Sequence, residues 1–132
     1  MKKIIGFILV INTSLALAAE WNCRNNEMEV TCSSEKCELA EAGTFTPMSV
    51  SFTDKGKMEV CYYTGCWEGV GKVFSNKNHM IISGYALKLS SGTGGMALGA
   101  EFLIALDTKD NVSLIKINGY AMPMPCEKIL KK

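Results

Sequence analysis

Residues 48–62 read Met-Ser-Val-Ser-Phe-Thr-Asp-Lys-Gly-Lys-Met-Glu-Val-Cys-Tyr. Met48, Val50 and Phe52 share one parity, with Ser49 and Ser51 on the other. After Asp54-Lys55-Gly56-Lys57, the apolar parity resumes at Met58, Val60 and Tyr62. Strand side chains alternate between faces, so this pattern, broken by a charged turn with a glycine, predicts a β-hairpin with one buried face. The same period recurs downstream. Residues 67–74 form a candidate strand in which Gly69 and Gly71 mark a bulge or a close backbone approach. Residues 80–89 are apolar on both parities at Ile81-Ile82 and then alternate through Tyr85, Leu87 and Leu89. Phe102, Ile104 and Leu106 share a face, and Ser113, Ile115 and Ile117 alternate against Val112, Leu114 and Lys116. Turns fall at 75–78 and 108–111, and a Gly/Ser loop at 90–95. A 3.6-residue period is nowhere sustained; residues 35–42 could make two helical turns. Met122-Pro-Met-Pro-Cys126 is read as unable to form a central strand, because proline donates nothing to a ladder. The expected fold is all-β, a small antiparallel barrel or sandwich of six to eight short strands.

Six cysteines staple this framework: Cys23, Cys32, Cys37, Cys61, Cys66 and Cys126. Cys32-Ser-Ser-Glu-Lys-Cys37 and Cys61-Tyr-Tyr-Thr-Gly-Cys66 each enclose four residues with turn character. Residues flanking a short hairpin loop face one another, and opposed positions bring Cα atoms within disulfide reach. Cys32–Cys37 and Cys61–Cys66 are therefore favoured as local bridges, with Cys23–Cys126 joining the two ends. Zinc binding fits less well, because both pairs sit at the edge of the usual ligand spacing. The chain also has no C-x-x-C for thioredoxin-like chemistry.

The 132 residues carry a formal charge of +1. Lys2 and Lys3 precede an apolar run ending in Ala16-Leu17-Ala18, the pattern of a secretory signal peptide with cleavage after Ala18. Domain organisation is thus a signal peptide at 1–18 and a single disulfide-rich β domain at 19–132. Removing the two lysines of 1–18 turns the net charge to −1. That excludes a basic nucleic-acid binder and a polybasic membrane-surface protein. The run is short for a membrane span and interrupted by Asn12-Thr13-Ser14, so no stable membrane anchor is expected after cleavage. The lysines, the short apolar stretch and the cysteines place the mature protein in a bacterial periplasm or outside the cell.

Catalytic equipment is sparse. His79 is the only histidine and falls in a turn, there is no Gly-x-Ser-x-Gly elbow, and bonded cysteines leave no thiolate. Glu59, Glu68 and Glu101 lie in candidate strands, where solvent-facing charge is the ordinary expectation. Gly92-Thr-Gly-Gly95 lacks the ending of a phosphate-binding loop. Met122 and Met124 offer soft sulfur suited to Cu(I), but Met48, Met58 and Met80 sit on apolar strand faces, where methionine is a core filler. No cofactor, metal site or catalytic residue is assigned.

Tyr62, Tyr63 and Trp67 flank the Cys61–Cys66 bridge, and adjacent Tyr62 and Tyr63 must point to opposite faces. A rigid loop bearing large aromatics suits protein recognition, so these three are the candidate partner-binding residues. The layout resembles periplasmic lysozyme inhibitors in architecture, and Ser83-Gly84-Tyr85 matches a fragment of their Ser-Gly-rich loop. The leading expectation is an exported, non-catalytic binding protein that engages another protein as an inhibitor, immunity or envelope accessory factor. The alternatives are a small-ligand or metal-binding β-barrel and a structural component of a secretion or envelope assembly.

Overall fold

The computed structural model describes residues 18–92 and 101–131; most of the expected signal peptide and residues 93–95 of the expected Gly/Ser loop lie outside them. Among the described residues every regular element is a strand. In chain order these are β1 (Ala18–Arg24), β2 (Met28–Cys32), β3 (Cys37–Glu41), β4 (Ser49–Thr53), β5 (Lys57–Tyr62) and β6 (Gly65–Val70). They continue with β7 (Lys72–Ser75), β8 (His79–Tyr85), β9 (Lys88–Gly92), β10 (Glu101–Asp107), β11 (Val112–Ile117) and β12 (Tyr120–Lys131). All pairings are antiparallel. The hydrogen-bonded path is β7-β8-β10-β11-β12-β1-β4-β5-β6-β9, and the β2–β3 hairpin branches from β12.

The two ends of that path are covalently adjacent. Val70 closes β6 and Lys72 opens β7, while Tyr85 closes β8 and Lys88 opens β9. β6–β7 and β8–β9 are thus two halves of one bent ribbon, and a sheet whose opposite ends share a ribbon has to curl. The result is an antiparallel half-barrel with a concave, apolar inner face. Gly71 makes the first bend, because a Cβ there would lie 2.6 Å from Ile82 Cγ2 and 2.8 Å from the Ser83 carbonyl oxygen. Ala86, at φ 53°, makes the second.

Twelve strands replace the expected six to eight. The bends divide what the alternation reads as two continuous strands, residues 67–74 and 80–89, into four. Residues 35–42 form β3 rather than a helix, since the Cys32–Cys37 turn lays Glu38 to Glu41 against β2, and a ladder outweighs modest helical propensity. The Met-Pro-Met-Pro segment is the larger correction: it lies mid-path, in β12. Residues 126–131 of β12 pair with β1 and residues 120–121 with β2, so neither β1 nor β2 claims residues 122–125 on that side. Pro123 pairs with Leu114 and Pro125 with Val112 of β11 on the opposite side. The gap is spanned by Asn25, whose Nδ2 donates to the Pro123 carbonyl while its Oδ1 accepts from the Glu27 amide at 2.7 Å. Proline in a central strand is tolerated here because the neighbouring chain bulges away between β1 and β2, which run in the same direction along β12, and asks for no donor.

The hairpin that announces the fold is β4–β5, with Val50 opposite Val60 and Phe52 opposite Met58. Met48, Val50, Phe52, Met58, Val60 and Tyr62 are all buried, as are Phe102, Ile104, Leu106, Ile115 and Ile117. Met122 and Met124 point into the same core, which accounts for their thioethers as packing. Trp21 joins them, stacked on Phe52 at 5.8 Å, with its Nε1 donating to Asn111 Oδ1 at 3.2 Å. Burial of each such side chain contributes about 2 kcal/mol.

Three disulfides link Cys23–Cys126, Cys32–Cys37 and Cys61–Cys66, the pairing the spacing favours. Each joins directly opposed residues of adjacent strands. The Cys61–Cys66 loop is tighter than the four enclosed residues suggest: Tyr62 still pairs with Gly65, leaving a two-residue turn at Tyr63-Thr64. The bridges differ in leverage. Cys23–Cys126 spans 103 residues and the other two span 5 each. On loop entropy, replacing Cys23 and Cys126 together by serine is expected to cost about 4–5 kcal/mol, against about 2 kcal/mol for either local pair. Urea denaturation of the three double variants, compared by midpoint and slope, checks that order.

Candidate functional site

The residues singled out around the Cys61–Cys66 bridge separate in the structure. Tyr62 and Trp67 face the core, at 8% and 6% exposure, and only Tyr63 points outward, at 61%. Tyr63 also adopts φ 52°, left-handed backbone that a bulky aromatic residue rarely accepts. Its ring lies edge-on to Tyr62, with centroids 4.2 Å apart. The three residues therefore form no continuous binding surface.

His79 opens β8 opposite Asp107, with Nε2 3.7 Å from Oδ2, the histidine exposed and the aspartate half-buried. Glu59 and Glu68 face each other across β5 and β6, while Glu101 lies on β10 opposite Tyr85. The potential donor group Glu59, Cys61 and Cys66 has both sulfurs committed to a disulfide. None of these arrangements couples a nucleophile to a base.

The outer surface of the half-barrel divides into two unlike halves. Across β12, β1, β4, β5, β6 and β9, the outward row reads Glu127, Asn22, Ser51, Glu59, Glu68 and Lys88. That is an ordinary solvated face. Across β7, β8, β10, β11 and β12, register aligns Phe74, Ile81, Ala105, Leu114 and Pro123 in one row. Phe74, Ile81 and Leu114 are 52%, 43% and 49% exposed, and Leu103 and Val112 extend the apolar area on either side. Lys72 lies over the Phe74 ring, 5.0 Å from its centroid. A groove of about 700 Å³ indents this half; Ile81, Leu114 and Pro123 supply apolar lining, and Asp107, Asp110 and His79 supply polar lining.

A second cluster lies on the inner side, and the sequence reading missed its central residue. Glu29 of β2 is only 3% exposed, and its Oε2 has no hydrogen-bond partner among the described residues. Tyr62 Oη is buried as well and, among the described residues, accepts no hydrogen bond, its polar neighbour being the Tyr63 side chain. The Tyr120 ring stands 6.1 Å from that of Tyr62. Burial pushes the Glu29 carboxyl above its usual range. It pushes the Tyr62 phenol up too, with Tyr63, Glu29 and Tyr120 adding to the effect. Nothing in the sequence marks it: Glu29 shares its parity with polar Thr31, while the apolar Met28 and Val30 take the other face and are less buried.

Comparison with protein-family models, curated proteins and solved structures finds no match to this chain.

The Glu29 environment has a consequence for stability. Its folded-state pKa is raised above the unfolded value, so the folded protein keeps a proton that the unfolded chain releases. That contribution is present at low pH and is lost as pH rises through the folded value. Glu29→Gln is expected to raise the urea midpoint at pH 7 and leave it near wild type at pH 4. Denaturation at the two pH values checks the sign.

Proposed function

We propose that the chain is an exported, non-catalytic binding protein that engages another protein through the apolar half of its outer surface. The observation that carries this reading is the apolar cross-strand row Phe74–Ile81–Ala105–Leu114–Pro123, with Phe74, Ile81 and Leu114 exposed, against the polar row Glu127–Asn22–Ser51–Glu59–Glu68–Lys88 of the other half. Extended apolar area on a small domain marks a contact surface, because leaving it in water has a free-energy cost that a partner removes. The lining of its groove gives the partner a chemistry. Apolar Ile81, Leu114 and Pro123 accept an apolar side chain, and Asp107 and Asp110 favour a basic residue next to it. Three disulfides in a small domain fit an oxidising periplasmic or extracellular setting. Cleavage after Ala18 would remove only the terminal rung of β1, Ala18 opposite Lys131, and keep the other five.

The inner face supports the ligand-cavity alternative less well. Its strand positions carry Phe52, Phe102, Met58, Ile82, Ile104 and Ile115 packed on one another, as in small barrels whose interior is core.

A photo-crosslinking residue at Ile81 or Leu114 is expected to give one discrete protein adduct in periplasmic extract. The same residue at Ser51 or Glu68, on the polar half, is expected to give none. Adding Leu114→Glu to the Ile81 probe should reduce the adduct at least about tenfold, since it places a charge within an apolar contact. Equal labelling from both halves, or no adduct from Ile81 and Leu114, contradicts the reading.

A further inference from the structure

We propose that Glu29, Tyr62, Tyr63 and Tyr120 form a binding site for a guanidinium group, separate from the outer apolar half. Glu29 and Tyr62 come from different strands, β2 and β5, and both are more than nine-tenths buried. Each holds an oxygen that accepts no hydrogen bond from the described residues. Glu29 shares a strand face with Thr31, which pairs with Tyr120, and the Tyr120 ring stands beside that of Tyr62. Two such acceptors gathered in a packed interior are costly unless a further donor completes them. A cation is the donor that best balances the carboxylate once Glu29 is ionised. The salt bridges among the described residues are Lys36–Glu38 and His79–Asp107, and neither reaches Glu29.

The rings select among cations. Tyr120 is half-buried beside Tyr62 and Tyr63 is exposed, and Tyr63 is held against Tyr62 on a two-residue turn closed by the Cys61–Cys66 bridge. A left-handed backbone at an exposed aromatic residue stores strain that the rest of the loop must sustain, a device found at ligand clamps. One carboxylate and one phenol are too few oxygens for Ca²⁺ or Mg²⁺. An ammonium is compact and strongly hydrated. A guanidinium is planar and weakly hydrated, donates in a fork to two acceptors, and stacks on tyrosine.

Of the charged and titratable groups on the elements packed against Glu29, Tyr120 of β12 and Glu38 of β3 share its face, Tyr62 of β5 acts on it, and Glu41, opposite Met28, takes the other face. Glu38 is paired with Lys36. Glu29 must be ionised to hold the cation, so affinity rises with pH, and that dependence disappears in Glu29→Gln.

Two probes separate the sources of such a group: ethylguanidinium, for a free cation, and acetyl-Gly-Arg-Gly-amide, for an arginine side chain carried by a protein. Titration of each into the intact oxidised protein, followed by tyrosine ring NMR signals, is expected to shift Tyr62, Tyr63 and Tyr120 saturably. Glu29→Gln should weaken binding about tenfold or more, and Tyr62→Phe several-fold. Acetyl-Gly-Lys-Gly-amide should bind more weakly than its arginine counterpart. Both replacements are nearly isosteric, and thermal melts of each variant verify the fold. Saturation by both guanidinium probes supports an arginine side chain as the natural occupant, and saturation by ethylguanidinium alone supports a free cation. No saturable shift with either, or unchanged affinity in Glu29→Gln, overturns the site. The crosslinks from Ile81 and Leu114 do not involve Glu29, so failure here leaves the protein-binding reading standing.

Discussion

The pairing of β1 with β12 is the constraint on which the rest of the fold depends. It places the two ends of the domain mid-path, in register from Ala18 opposite Lys131 to Cys23 opposite Cys126, and a covalent bond locks its inner end. One side of β1 then supports β4, β5, β6 and β9, and β12 supports β11, β10, β8 and β7. Because β6 leads into β7 and β8 into β9, the two arms growing from β1–β12 must meet. Fixing the register at the centre therefore fixes where the ribbon bends. A one-residue slip would turn every inward side chain outward, and the Cys23–Cys126 bridge forbids it.

That architecture explains why the outer surface has two characters. Strand parity decides which residues face out, and register decides which become neighbours. Ile81, Ala105 and Leu114 are unremarkable single apolar residues along their own strands. Only the antiparallel register of β8, β10 and β11 sets them side by side with Phe74 and Pro123 in one continuous row. The same rule gives the other half Ser51, Glu59 and Glu68. A partner surface is thus written across strands, where the linear sequence does not show it.

Much of the fold was legible along individual strands. Period-two alternation located β4, β5, β10 and β11 and their buried faces, and equal loop spacing pointed to two local disulfides. Properties that depend on neighbours were not legible. The bend at Gly71 looks like continuous alternation because Trp67 and Val73 keep one inward parity across it. The bend at Ala86 instead shifts parity, from Met80 and Ile82 inward before it to Leu87 inward after it, behind the unbroken run Tyr85, Leu87, Leu89. The Met-Pro-Met-Pro segment could be central only because β1 and β2 part company opposite it, with Asn25 bridging the gap. At the candidate sites, Tyr62 and Trp67 were attractive for their chemistry and turned out to be core, since both share the parity of Val60 or lie opposite it. Glu29 was overlooked because a charged residue in a short segment ordinarily faces water.

Native-state hydrogen exchange tests the central claim most directly. If β1–β12 is the constraint that holds the sheet, amides of β1 and β12 exchange only through global opening. They then show the same opening free energy as Ile104 on β10 and Ile115 on β11, and all of them fall together when Cys23 and Cys126 are replaced by serine. Exchange of β1 at distinctly lower free energy, with Ile104 and Ile115 still protected, would contradict the account.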